Sequence, residues 1–151
     1  MALSDILNIA GSGMNAQVVR MNTTASNLAN AGVVSTTEDG AFRARRPVFE
    51  AILSSISGDA AQGGVRVVEI TADGSTPKRV FEPSNPASDE EGYVYASNVN
   101  EVAELVEMLD ASRAYQNNVE VVTATRNLLS STLEVLKTRK KNVHTRFITS
   151  S

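Results

Sequence analysis

The sequence predicts a mainly α chain whose long N- and C-terminal helices pair as a coiled coil, with a small β or irregular segment between them. Apolar residues recur at alternating four- and three-residue steps near both ends of the 151-residue chain. Between Gly32 and Asn98 that period vanishes and turn residues take its place. Hydrophobic residues make up 42% but aromatics only 5%, with no Trp, so the expected core is Leu, Val, Ile, Met and Ala. Such a mix suits helix-on-helix packing better than a large lined pocket. These observations divide the chain into an N-terminal coiled-coil helix (1–32), a small β-rich or extended middle (33–97), a long C-terminal coiled-coil helix (98–140) and a polar tail (141–151).

The first helix is read from Leu3, Leu7, Ala10, Met14, Met21, Ala25 and Leu28. Leu7, Met14, Met21 and Leu28 are strict heptad partners, which draw a narrow seam rather than a broad globular face. Gly11 and Gly13 each weaken the helix by about 1 kcal/mol, and Gly32 in Asn30-Ala31-Gly32 supplies a C-terminal stop. A helix of about 27 residues runs roughly 40 Å and is marginal in isolation.

In the middle, turns are predicted at Asp39-Gly40, Gly58-Asp59, Gly63-Gly64, Asp73-Gly74 and Pro83-Ser84-Asn85-Pro86. Strand-like runs lie at Pro47 to Leu53, Val65 to Thr71, Arg79 to Glu82 and Tyr93 to Ala96. They suffice for a small twisted sheet or an extended arm.

The second helix is expected from Asn98, an N-cap with Glu101 completing a capping box. Its seam follows Met108, Ser112, Tyr115, Val119, Val122, Arg126, Leu129, Leu133 and Leu136, widened at the start by Val102, Leu105, Val106 and Leu109. The polar run Gln116-Asn117-Asn118 reads either as a solvated face or as buried amides that set helix register. Lys137, Arg139, Lys140, Lys141 and Arg146 make the end of the chain basic.

Composition removes several function classes. There is no cysteine, so disulfides, thiolate metal sites and a Cys nucleophile are excluded, and the one histidine, His144, has no second His near it. A net charge of −3 gives no reason to expect nucleic acid as the main partner. The N-terminus has no Lys or Arg before Arg20, and so lacks the basic region of a secretory signal. No apolar run is long enough to span a bilayer. On composition alone the chain is cytosolic.

Three motifs invite chemistry, and each has a plainer reading. Gly11-Ser12-Gly13-Met14-Asn15-Ala16 fits G-x-G-x-x-A, but the phosphate fingerprint needs a preceding strand and here the pattern lies inside the helical seam. Small residues that let helices approach closely explain it better. Asp89-Glu90-Glu91 lacks the alternating oxygen ligands of a calcium loop and reads as a solvated acidic turn. Arg43, Arg45 and Arg46, flanked by Phe42 and Phe49, form a basic cluster that alternation in an extended strand accounts for equally well. No cofactor, metal, small-molecule substrate or catalytic constellation is expected.

Three stretches carry a resemblance. Ala25-Ser26-Asn27-Leu28-Ala29-Asn30-Ala31 closes the first helix with an S-N-x-A-N run. Asn98-Val99-Asn100 precedes Val106-Glu107-Met108 and Ser112-Arg113-Ala114-Tyr115-Gln116-Asn117-Asn118. Pro83-Ser84-Asn85-Pro86 leads through acidic residues to Gly92-Tyr93-Val94. Together they resemble the flagellar axial proteins that build the rod, hook and hook-associated parts of the bacterial flagellum. The short middle, with Asn118-Val119-Glu120-Val121 and Thr132-Leu133, is most similar to the proximal rod subunits. Larger members carry bigger central domains.

The resemblance implies a structural subunit, exported unfolded by the flagellar type III system without a cleaved signal peptide. Such a subunit polymerises beneath a cap into a hollow helical drive shaft in the periplasm. It implies copies of itself, other rod proteins, the export apparatus, the rod cap and membrane-embedded ring or hook–basal-body components as partners. The helix-pairing and assembly residues expected are Leu7, Met14, Met21, Leu28, Asn27 and Asn30 on the first helix. On the second they are Met108, Tyr115, Val119, Val122, Leu129, Leu133 and Leu136. Burying each large aliphatic side chain contributes about 1.5–3 kcal/mol, against about 1–2 kcal/mol of backbone entropy per ordered residue. The ends are therefore expected to order fully only on assembly. Alternatives are a soluble helical binding module or an export-linked regulator.

Overall fold

The computed structural model describes residues 3–52 and 63–148, with side chains to residue 139. Its elements run α1 (Leu3–Ala29), β1 (Val34–Ser35), β2 (Arg45–Ile52), β3 (Gly64–Ala72), β4 (Lys78–Phe81), β5 (Tyr93–Ala96) and α2 (Glu101–Ile148). The predicted turn at Gly58-Asp59 and the strand end at Leu53 lie outside the described residues.

α1 holds 27 residues and α2 holds 48. They lie side by side and antiparallel: Arg20 meets Glu107 at 3.4 Å, and Gly13 stands against Asn118. Rising at about 1.5 Å per residue, α1 spans roughly 40 Å and α2 roughly 72 Å. α2 thus runs on beyond the level of Leu3, and past Lys140, where the sequence suggests a tail, to Ile148.

The expected mainly α, coiled-coil class needs correction. The middle forms two antiparallel sheets, and the helices are not shown to pair as a coiled coil. The reason lies in what the two helices bury against each other and against the hairpin. Ala10, Ala16, Thr23, Thr24 and Asn27 of α1 and Glu104, Ala111 and Thr125 of α2 are buried. The heptad residues Leu7, Met14, Met21 and Leu28 are only half-buried. A knobs-into-holes seam wants large aliphatic residues at its centre; here Gly13 meets Asn118, Asn27 meets Glu104 and Arg20 meets Glu107 across the helices. The buried apolar residues among those described are Ala10, Ala16, Ala41, Ala44, Pro77, Val94 and Ala111; of the Leu, Val, Ile, Met and Ala that composition suggests for the core, only Ala and Val are buried to that depth.

One sheet has the order β1-β5-β4. β5 is its centre, pairing Val34 with Ala96 on one side and Phe81 with Tyr93 on the other. Val94 at its middle is completely buried. β1 is two residues long, too short to stand out from the loop by alternation. The second sheet is the β2–β3 hairpin, whose register slips at a bulge between Val48 and Phe49. Pro47, Phe49 and Val67 are half-buried, with the Phe49 ring against Arg20 of α1, while Glu50 and Arg66 pair at 2.7 Å on the exposed face.

Between β4 and β5 the chain turns through Pro83-Ser84-Asn85-Pro86. The Asn85 amide donates to the Glu82 carbonyl at 3.0 Å and the Ser88 amide to the Asn85 carbonyl at 2.9 Å. Gly92 closes the loop with φ of 79°, in the left-handed region that favours glycine.

Candidate assembly faces and the helix–hairpin junction

Two asparagines from the end motifs grip the base of the hairpin. The Asn27 side chain, on the last turns of α1, bonds both sides of the Arg45 peptide. Its Nδ2 donates to the Arg45 carbonyl at 2.8 Å, and its Oδ1 accepts from the Arg45 N–H at 2.8 Å. That is the pattern of a strand partner, supplied here by one side chain. Nδ2 also donates to Glu104 Oε2 at 3.0 Å, so a single amide ties α1, β2 and α2 together. Asn27 and Glu104 are each 1% exposed, and an amide buried this deeply is costly unless its donors and acceptors are paired.

Asn98 does the matching work just before α2. Its Oδ1 accepts from the Ala44 N–H at 2.6 Å, and its Nδ2 donates to the Ser75 carbonyl at 3.0 Å and hydroxyl at 2.8 Å. It thereby joins the residue before β2 to a residue after β3. Asn98 is not the helix N-cap that the sequence suggests. That role belongs to Asn100, whose Oδ1 accepts from the Ala103 N–H at 3.2 Å. Asn30 acts locally, its Nδ2 donating to the Ser26 carbonyl at 2.7 Å.

The far end of the hairpin is held by Ser12. Its hydroxyl donates to the Ile9 carbonyl at 2.8 Å and accepts from the Val65 N–H at 3.1 Å. Gly64 comes so near that an added Cβ would stand 3.0 Å from the Ser12 hydroxyl. The Gly11-Ser12-Gly13 pattern therefore sits in mid-α1, giving Ser12 to the hairpin and Gly13 to the contact with Asn118. Of the Gln116-Asn117-Asn118 run, Gln116 and Asn117 are exposed and only Asn118 reaches the interface.

The charged clusters are absorbed into the fold. Arg43 lies 3.9 Å from Glu38, Arg46 reaches Asp73 and Glu104 at 3.8 and 3.6 Å, and Arg45 lies over the Phe42 ring. In the acidic turn, Asp89 accepts from the Tyr93 and Glu91 amides at 2.8 and 3.0 Å and pairs with Arg79. The Tyr93 amide foremost, then Arg79, holds the Asp89 carboxyl below the usual carboxylate range. Asp73 is lowered likewise, chiefly by the Ser75 backbone and hydroxyl, with Arg46 a smaller influence. Among the described residues, no group of three or more His, Cys, Asp or Glu is placed to hold a metal. No described helix is long and apolar enough to cross a membrane.

The expected assembly residues separate by position along α2. Met108, Tyr115, Val122 and Leu129 are half-buried. Val119 is 39% exposed, and Leu133 and Leu136, beyond the level of Leu3, are 56% and 55% exposed. Leu128 and Val135 share that exposed stretch. A second apolar stripe, Val102, Leu105, Val106 and Leu109, follows i, i+3, i+4, i+7 spacing at the start of α2. It faces away from α1, which meets Glu104, Glu107 and Asn118 instead.

Glu104 and Ser12 were not legible as functional positions in the sequence. The one available signal is the small and polar heptad Glu104, Ala111, Asn118, Thr125, set beside the apolar one.

The two helical regions match two family models. One, described as flagella basal body rod protein, covers residues 7–34; the other, described as flagellar basal body rod FlgEFG protein C-terminal, covers residues 90–135. The flagellar basal-body rod protein FlgC of Escherichia coli O6:H1 is 42% identical over 133 residues, which is 88% of this chain and 97% of that protein. The chain belongs to the FlgC family of flagellar basal-body rod proteins. It is a structural subunit of the rod, located in the flagellar basal body. The FlgC of Salmonella typhimurium is 41% identical over 133 residues, again 88% of this chain and 97% of its own. That of Aquifex aeolicus is 39% identical over 140 residues, 91% of this chain and 99% of its own. The two family matches take in α1 and the β5–α2 region, and the β2–β3 hairpin falls between them. α2 continues to Ile148, beyond residue 135 where the second match ends.

Proposed function

We propose that this rod subunit assembles through the apolar stripes its single chain leaves uncovered, taking up copies of itself and other rod proteins. The observation that carries this reading is the exposure along α2. Val102 is 71% exposed, and Leu105, Val106, Leu109, Leu128, Leu133, Val135 and Leu136 are all more than half exposed. Soluble monomers rarely leave such contiguous apolar faces open to water. Each of these side chains contributes about 1.5–3 kcal/mol when a neighbour fully covers it. Leu7, Met14, Met21 and Leu28 of α1, with Met108, Tyr115, Val119, Val122 and Leu129 of α2, complete their burial in the same step. Asn27 and Asn30 serve the assembly indirectly, by fixing the end of α1 on which that face depends.

The chain reaches the rod through the flagellar type III export apparatus and adds beneath the rod cap into a hollow shaft crossing the periplasm. Neighbouring ring or hook–basal-body components bound the shaft at its ends. The work is mechanical: no bond is made or broken, and the product is a stiff tube that transmits torque. The helices gain their full order from neighbouring subunits.

The test is deletion of the gene in its own bacterium, followed by electron microscopy of purified basal bodies. Rods and hooks should be missing, restored by the wild-type gene and not by a Leu129→Asp, Leu133→Asp double variant. Rods restored by the double variant would reject the α2 face as an assembly surface. Intact rods in the deletion strain would leave a soluble helical binding module or an export-linked regulator as the better reading.

A further inference from the structure

We infer that Glu104 is a charge latch for the β2–β3 hairpin, so that the hairpin's docking on the helices depends on Arg46 compensating one buried carboxylate. Glu104 lies in the first turns of α2 with 1% of its surface exposed. Its Oε2 accepts from Asn27 Nδ2 at 3.0 Å, and its Oε1 is 3.6 Å from the Arg46 guanidinium. Neither of these groups belongs to α2. Asn27 comes from α1 and Arg46 from the second residue of β2, so the carboxylate is satisfied only when three elements have come together.

The hairpin's position is set by neighbouring contacts at the same place. Asn27 holds the Arg45 peptide, Asn98 links Ala44 to Ser75, and the Asp73 N–H donates to the Ala44 carbonyl at 2.7 Å. These neutral contacts orient the hairpin but leave the charge on Glu104 unanswered. Docking takes the carboxylate out of water, and a buried carboxylate without a cation is strongly disfavoured. Arg46, itself 51% exposed in its side chain and drawn also toward Asp73 at 3.8 Å, supplies that cation from the solvent side. A cation reachable from water is the part of the junction that can be withdrawn without disrupting either helix. The hairpin is therefore a separately releasable unit on a two-helix body, of the kind seen when native proteins open in cooperative segments.

The charge reading predicts a reversal that packing does not. In the full chain, Arg46→Ala should raise hydrogen exchange of the hairpin amides of Phe49, Val65 and Val67 at least tenfold, while amides in the middle of α2 stay protected. Arg46→Lys, which keeps the cation, should stay within a few-fold of wild type. Adding Glu104→Gln to Arg46→Ala should bring exchange back toward wild type, because the buried charge is gone and Asn27 can still donate to the new amide oxygen. Additive effects, with the double variant opening more than either single one, would overturn the latch. So would an Arg46→Ala chain whose hairpin exchanges at the wild-type rate. Should Arg46→Ala fail to fold, a folded double variant would carry the inference and an unfolded one would defeat it.

Discussion

Gly13 and Asn118 mark a point where α1 and α2 touch through a missing side chain: a Cβ added at Gly13 would stand 3.1 Å from Asn118 Nδ2. The amide has little room to retreat, because Nδ2 also donates to the Ala114 carbonyl at 3.0 Å. Gly11, two residues earlier on the same helix, has no such neighbour within 4 Å. Gly11→Ala should therefore stabilise the chain by up to about 1 kcal/mol through helix propensity alone. Gly13→Ala should lose most of that gain, and Gly13→Val should destabilise by about 1–3 kcal/mol through overpacking. Urea unfolding of the three variants checks this; equal gains at both alanine positions would contradict the close contact.

Asn98 and Asn100 are two residues apart, yet their removal should fail in different places. Asn100→Ala removes an N-cap, which costs about 0.5–2 kcal/mol and frays the first turn of α2. Asn98→Ala leaves the buried Ala44 amide without its 2.6 Å acceptor and unties Ser75, at a cost of about 1–3 kcal/mol. Amide exchange separates them: Ala44 should lose protection only in Asn98→Ala, and Ala103 only in Asn100→Ala.

The contrast between those two asparagines shows what the sequence could and could not convey. Both helices were legible from periodicity, and the four longer strands from β-prone runs between turn residues, because those signals are local. β1 carries too few residues to have a period. The motif asparagines stood out, but their roles did not. Whether Asn98 caps a helix or holds Ala44 depends on where residues 54 positions away return. The seam misled for a related reason. Leu7, Met14, Met21 and Leu28 do share a face, and a heptad of large aliphatic residues ordinarily marks a coiled-coil core. In the single chain, Gly13, Asn27 and Arg20 of α1 meet Asn118, Glu104 and Glu107 of α2, and much of the apolar surface is left open. Periodicity reports that a face is apolar without saying whether this chain or another covers it.

Gly92 should tolerate no side chain. At φ of 79° an L-residue is strained, and a Cβ there would stand 3.0 Å from the Phe81 ring and 3.1 Å from Pro83 Cβ. The Phe81 ring is already engaged with Tyr93 at 5.1 Å between centroids. Gly92→Ala should therefore destabilise by about 1–3 kcal/mol, with the loss concentrated in the β4–β5 pair. Backbone chemical shifts of Val80 and Val94 that match the wild type, together with unchanged unfolding, would show that the loop adapts.

Acid should loosen the β4–β5 loop before it affects the helices. The Asp89 carboxyl is lowered by the Tyr93 amide and Arg79, so its contribution is fully present above its unfolded value of about 3.9. That contribution is lost as pH falls through the lower folded value, because protonation of a depressed carboxyl favours the unfolded chain. NMR titration should show the Tyr93 and Glu91 amides moving below about pH 3.9. Asp89→Asn should abolish that movement and leave the Ser75 amide titrating with Asp73.

Stability and assembly should come apart at the start of α2. Leu105 and Leu109 are 51% and 58% exposed on the side away from α1, so polar replacements there lose little burial in the free chain. A Leu105→Asp, Leu109→Asp double variant should change the unfolding free energy by no more than about 1 kcal/mol, the range of exposed-site substitutions taken twice. In the rod, the same residues are to be covered by a neighbour, and two carboxylates on a buried apolar face are not tolerated. Swimming on soft agar should accordingly be lost although the purified variant stays helical and melts like the wild type. Normal swimming would place this stripe against water in the finished rod and confine assembly to the α1-facing seam and the far end of α2.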